Sequence, residues 1–272
     1  MAIQQPYRRT ARQLKDGSYS NSGNSRYIKH SEYASSPEKY IRSFLIIQND
    51  LQKIFEYVEP SDKNKRTYSY RIHELFIRVC IEVEANCKAI LRENGYSKKQ
   101  EKDWNMHDYC LIEKTHQLSS YEVSLPRWDT NKGLGLDRYC PFKNWGKENL
   151  NWYQYYREYK GEDKSEIKSW YQYYNETKHD IHSKFEHANL KNLVEATSGL
   201  VALLSAQFLN EDFSYQEGSL IVEGIGDGMD PAVGSYFRVK YPDWTSAERY
   251  DFEWGKIKDI PGVIKCHDYN SL

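Results

Sequence analysis

The segment Ala188–Phe208 constrains this chain most. Leu190, Leu193, Ala196, Leu200, Val201, Leu204 and Phe208 recur along it at helical spacing, which predicts a long helix with an apolar stripe to bury. Such a helix needs partners, and the sequence holds two. Ser36-Pro37-Glu38 has the form of a helix start, and Ile41, Phe44, Leu45, Leu51, Ile54, Phe55 and Val58 follow at the same spacing as far as Pro60. Beyond a charged linker, Ser61–Arg66, the residues Ile72, Leu75, Phe76, Val79, Val83, Cys87 and Ile90 mark a second amphipathic helix that Asn94-Gly95 stops. Cys80 and Cys87 lie on its apolar side and read as small core residues. The three segments predict a mainly α chain organised as a helical bundle.

At 272 residues the chain can bury a core without disulfides or a structural metal. Its 39% hydrophobic content includes 24 tyrosines, so that core leans on aromatic rings. Lys and Arg number 38 against 39 Asp and Glu; the net charge of -1 supplies no global field, and any polyanion site has to be local. No run approaches the roughly 18–20 apolar residues of a membrane span, and Met1–Asp16 lacks the apolar segment of a secretory signal. The expectation is a cytoplasmic protein with no membrane contact. Cys80, Cys87, Cys110, Cys140 and Cys266 are scattered and form no CxxC or Cys/His ligand pattern, which fits a reducing compartment and predicts neither metal nor cofactor.

Residues 1–35 read as a flexible basic arm, the first thirty of them carrying Arg8, Arg9, Arg12, Lys15, Arg26 and Lys29 with Asp16 as the sole acid. Residues 36–210 form the bundle. Within it, a short helix is expected near Asp103–Gln117 and a strand at Tyr121–Leu125, ended by Pro126. After residue 210 the texture changes: Ser219–Val222, Tyr236–Tyr241 and Tyr250–Trp254 alternate between Gly-, Asp- and Pro-rich turns, predicting a small antiparallel β appendage over 211–272. Asn131–Gly135 lacks the Gly-Lys-Ser/Thr ending of a phosphate loop, and Gly224–Gly228 lacks the helix that follows a dinucleotide fingerprint. Trp152-Tyr153-Gln154-Tyr155-Tyr156 recurs 18 residues later as Trp170-Tyr171-Gln172-Tyr173-Tyr174, an offset of about five helical turns.

The second copy opens the one stretch with chemical content, Trp170–His182. At about 100° per residue, with Tyr174 at zero, Lys178, Tyr171, His182, Asn175 and His179 fall between about 40° and 140°, while Trp170, Tyr173, Thr177 and Ile181 take the opposite side as the buried one. One face thus gathers two imidazoles, an ammonium, an amide and a phenol. An imidazole can take or give the proton of an attacking or leaving hydroxyl, an ammonium offsets phosphoryl charge, and an amide can hold a phosphoryl oxygen. The same residues also read as a polar rim where the helix meets its neighbours. Glu82 and Glu84 of the second helix are candidate partners for this face. No HExxH, no Gly-x-Ser-x-Gly and no assembled Ser/His/Asp set occurs.

Two long core helices followed by a late helix carrying Asn175-Glu176-Thr177-Lys178-His179 resemble the HEPN superfamily of helical bundles over about residues 37–210. The family motif is an Arg, often followed by a polar residue, with a His four to six positions on. Here Asn175 and His179 overlay it, and Tyr174 stands where the Arg would be. The resemblance implies metal-independent cleavage of single-stranded RNA in a homodimer, in a defence or toxin setting and with a protein partner encoded nearby. It implies His179, Lys178 and Asn175 as catalytic residues, with Tyr171, Tyr174, His182 and Arg78 on the substrate. The alternative, favoured by Tyr174 in place of Arg, is a catalytically inactive interaction module that recognises a protein or nucleotide.

Overall fold

The computed structural model describes residues 2–20, 23–129, 137–145, 170–213 and 228–272. Four helices frame it: α1 (Pro37–Phe55), α2 (Tyr70–Glu93), α3 (Trp170–His179) and α4 (Leu190–Phe208). Pro37 opens α1, where its missing N–H costs nothing. The Ser69 hydroxyl accepts from the Ile72 amide at 3.2 Å to cap α2, and Gly95, at φ +78°, supplies the left-handed residue beyond its end. Asn189 caps α4 in the same way, accepting from the Asn192 amide at 3.1 Å.

Helix α4 lies along α2 and is enclosed on every side. Leu190, Leu193, Val194, Leu200, Val201, Leu203, Leu204 and Phe208 are fully buried, each contributing about 1.5–3 kcal/mol relative to exposure. Its hydroxyls survive burial by bonding backward within the helix, Thr197 Oγ1 to the Leu193 carbonyl at 2.8 Å and Ser198 Oγ to that of Val194 at 2.9 Å. Helices α1 and α3 both pack on α2. Cys80 and Cys87 are buried as the periodicity predicts, and desolvation holds both thiols well above the ordinary cysteine range.

A small four-stranded antiparallel sheet completes the mainly α fold: β1 (Glu122–Leu125), β2 (Asp137–Tyr139), β3 (Asp230–Pro231) and β4 (Arg238–Lys240), in the order β2-β1-β4-β3. Val123 pairs with Tyr139 on one side and Val239 on the other, and Glu122 bridges Arg138 at 3.2 Å and Lys240 at 3.0 Å across the same three strands. The strand expected at Tyr121–Leu125 is therefore present and central. The expectation of a separate C-terminal appendage is corrected, because two strands come from between α2 and α3. Val123, Leu125, Phe237 and Val239 are fully buried in the same core cluster as α4. Tyr250–Trp254 is not a strand; Tyr250 makes isolated bridges to Ile3 and Leu14, and a helical turn runs Trp254–Ile257. Ser219–Val222, Asn131–Gly135, Trp152–Tyr156 and most of Gly224–Gly228 lie outside the described residues.

The reading of residues 1–35 as a flexible basic arm is also corrected. Arg9 is fully buried and ion-paired to Glu93 at 2.8 Å; it also donates to Gln207 Oε1 at 2.8 Å, and its guanidinium stands 4.6 Å from the Tyr40 ring centroid. Arg12 stacks 4.1 Å from the Trp244 ring and donates to the Thr115 carbonyl at 3.0 Å. Ala11, Leu14, Tyr27, Ile28 and Tyr33 belong to the core, and the Ile3 and Arg8 amides bond to the carbonyls of Arg249 and Lys265. The guanidinium groups of Arg9 and Arg12 and the amides of Ile3 and Arg8 thus find partners from distant parts of the chain, so a polar composition coexists with burial.

Candidate functional site

Helix α3 approaches α4 where Gly199 leaves room. A Cβ at that position would meet Trp170 Cζ2 at 3.1 Å, so the indole lies against bare backbone. From this anchor the inward face of α3 runs Trp170, Tyr171, Tyr174 and Thr177, all buried. Tyr174 is fully enclosed and meets Phe76 of α2 edge-on with centroids 6.5 Å apart. The Tyr171 hydroxyl donates to Glu84 Oε1 at 2.9 Å. Desolvation raises both phenols far above the ordinary tyrosine range, with the Glu84 carboxylate adding to it. Tyr171 and Tyr174, expected to face substrate, are thus core residues. The helix is rotated from the orientation predicted for it, and Tyr173 and Ile181, expected inside, are only half-buried. The reason is chemical: α2 offers Glu84 to a phenol and Phe76 to a ring, and tyrosines can take the buried positions when both are present.

The last turn and a half of α3 carries the polar groups outward. Asn175 is half-buried, and Lys178 and His179 are exposed; at i+3 and i+4 from Asn175 they share its side of the helix. Lys178 Nζ stands 5.1 Å from the centroid of the Tyr174 ring, so the buried ring supports an exposed ammonium. Behind them, His187 Nδ1 pairs with Glu176 Oε2 at 2.9 Å, and its ring lies against Tyr173 at 4.9 Å. Helix α3 stops at His179 because Asp180 leaves helical geometry (φ −145°, ψ 73°) to cap the following turn, Ile181–Lys184, accepting from the Ser183 amide at 3.3 Å and from its hydroxyl. His182 is exposed but sits on that separate turn, so it does not extend the α3 face.

Arg78 lies elsewhere. On α2, Phe76, Cys80 and Glu84 span one side, whereas Arg78 falls about 160° from its centre. It faces α1, paired to Asp50, and that contact holds the Asp50 carboxyl below the ordinary carboxylate range. There α1 and α2 enclose a cleft of about 280 Å3, whose walls include Lys53, Ile54, Tyr57, Arg71, Leu75 and Arg78. Tyr57 is 86% exposed and Tyr70, at the start of α2, 71%. The periodicity used for the core skips these exposed rings; a tyrosine lying between Phe55 and Val58, off the apolar series, was the available signal.

His116 and the half-buried His267 serve the fold. His116 is fully enclosed, with Nε2 at 2.8 Å from the Arg9 carbonyl and Nδ1 at 2.7 Å from Thr115 Oγ1; burial pushes it down to about 4. His267 stacks on Tyr7 with centroids 3.8 Å apart, and burial pushes it down to about 2. Among the described residues no group of three His, Cys, Asp or Glu side chains is placed to hold a metal ion, and no helix is long and apolar enough to cross a membrane.

The arrangement at the end of α3 can move a proton at an exposed imidazole and offset negative charge beside it. Tyr174 is enclosed in the core and is closed to a ligand at this rim. Comparison with known proteins finds no matching family model, no matching curated protein and no matching solved structure.

Proposed function

We propose that this chain is a HEPN-like RNA-binding protein of the cytoplasm that cleaves single-stranded RNA without a metal, in a defence or toxin setting. The observation that carries the reading is the exposed rim at the end of α3, where Lys178, His179 and Asn175 meet on one side. His179 takes the proton of a ribose 2′-hydroxyl as that oxygen bonds to phosphorus, and the bond to the 5′-oxygen breaks. The leaving 5′-oxygen takes up a proton from solvent water, leaving a 2′,3′-cyclic phosphate; Lys178 offsets the phosphoryl charge and Asn175 holds one phosphoryl oxygen. In a homodimer, two such rims would face each other across a two-fold axis and form one cleft. Incubating the protein with end-labelled RNA in the presence of a chelator tests the reading. Cleavage is expected, falling about 10²–10⁴-fold in His179→Ala; undiminished cleavage in that variant would remove His179 from the mechanism.

A second reading, the catalytically inactive interaction module, is favoured by the burial of Tyr174. Without a guanidinium at that position the rim still attracts a phosphate backbone but holds the scissile group less firmly. RNA that is bound and left intact by the parent protein would select this reading.

A further inference from the structure

We propose that the cleft between α1 and α2 binds one nucleotide unit of single-stranded RNA, its base on Tyr57 and its phosphate on Arg71. This rests on the RNA reading above and adds a contact surface that the α3 rim does not include. The cleft combines the two features that sequence-tolerant recognition of a single strand requires, a flat ring free to stack and a cation beside it. Tyr57 is 86% exposed at its mouth, and Ile54 and Leu75 give it an apolar wall. Of its cations, Arg78 and Lys53 share Asp50. Arg71 pairs at 2.9 Å with Glu74 of its own helix, and the two side chains are 84% and 66% exposed. An ion pair that exposed contributes little, so a phosphate can take the guanidinium from Glu74 with small loss.

The surface continues beyond the cleft. Tyr70, adjacent to Arg71, is 71% exposed and packs on Phe185 at 4.7 Å between centroids. Phe185 in turn follows directly on the turn that carries His182 and Lys184. Exposed rings and cations thus lead from the α1–α2 cleft toward the segment that follows α3. A cleft of about 280 Å3 between two helices admits a splayed base and excludes a stacked duplex, which commits the site to single strands.

Fluorescence anisotropy with a 5′-labelled single-stranded RNA 12-mer, across a range of salt concentrations, tests the proposal. Tyr57→Ala should weaken binding about 10-fold. Arg71→Ala should weaken it and lower the slope of log affinity against log salt by about one. A duplex of the same sequence should bind more weakly and respond to neither change. Both side chains are exposed, so thermal melts should match the parent. Unchanged affinity and slope in the double variant, while Lys178→Ala still weakens binding, overturns this inference and leaves the α3 reading standing. No binding by the parent at low salt overturns both. A parent dimer that becomes monomeric in Tyr57→Ala assigns this face to a second copy of the chain and also overturns it.

Discussion

Residues 8–14 and residues 174–179 are both polar stretches that carry cationic side chains beside a tyrosine, and the structure treats them oppositely. In the first, Arg9 and Arg12 are enclosed, each supplied with acceptors and an aromatic ring by chain more than a hundred residues away. In the second, Lys178 and His179 stand outside while Tyr174 beneath them fills the core. A basic residue is buried where the fold brings it acceptors and a ring to lie against, a carboxylate and a side-chain amide for Arg9 and backbone carbonyls for Arg12. The cations of the first segment carry the fold, whereas Lys178 and His179 stay at the surface, where the proposed RNA site lies.

The largest expected effect falls on the buried pair. Glu93→Ala leaves Arg9 charged and enclosed, and should cost about 3–5 kcal/mol in urea unfolding; a loss under about 1 kcal/mol would place Arg9 in contact with water and dissolve the contrast. Next is acid. His116 has a folded value near 4 against an ordinary 6.5. Between these, the unfolded chain binds a proton that the folded chain refuses, so stability falls as pH falls through that window. The loss from this group is about 2 kcal/mol by pH 5 and about 3 kcal/mol by pH 4. His116→Gln should flatten that slope in unfolding curves taken between pH 7 and pH 4, and an unaltered slope would discount the residue.

At Tyr174 the expected cost is smaller. An arginine there is enclosed beside Glu84 and Phe76, so Tyr174→Arg should destabilise by about 1–3 kcal/mol, because a guanidinium that gives up its water replaces a packed ring, and should not raise RNA cleavage. A gain in cleavage would mean that position 174 reaches substrate. Smallest of all is the effect of Lys178→Ala and His179→Ala on stability, within about 0.5 kcal/mol, although each should weaken the protein's hold on RNA or its action on it.

The long helices were legible because periodicity is local. The spacing of Leu190 to Phe208, the Ser36-Pro37 start and the Asn94-Gly95 stop each act within a few residues. The strand at Glu122–Leu125 was legible for the same reason. Burial of the N-terminal segment was not, because Arg9 depends on Glu93 and Gln207, and Tyr250 reaches the carbonyl of Thr10 from the far end of the chain. Nor was the rotation of α3. A tyrosine fits either side of a helix, and what decides is Glu84, Phe76 and bare Gly199 on the neighbours. The stop at Asp180 was within reach, since Asp180-x-x-Ser183 is a capping pattern; extrapolating at about 100° per residue passed through it and set His182 on the wrong element.

Carbethoxylation of the native protein with diethyl pyrocarbonate, mapped by mass spectrometry with and without single-stranded RNA, tests the contrast most directly. His179 and His182 should react quickly and be protected by RNA, whereas His116 should stay unmodified until the chain unfolds. Reaction of His116 at the rate of His179, or RNA that leaves His179 and His182 as reactive as before, would contradict the assignment of the buried cluster to the fold and the exposed rim to the ligand.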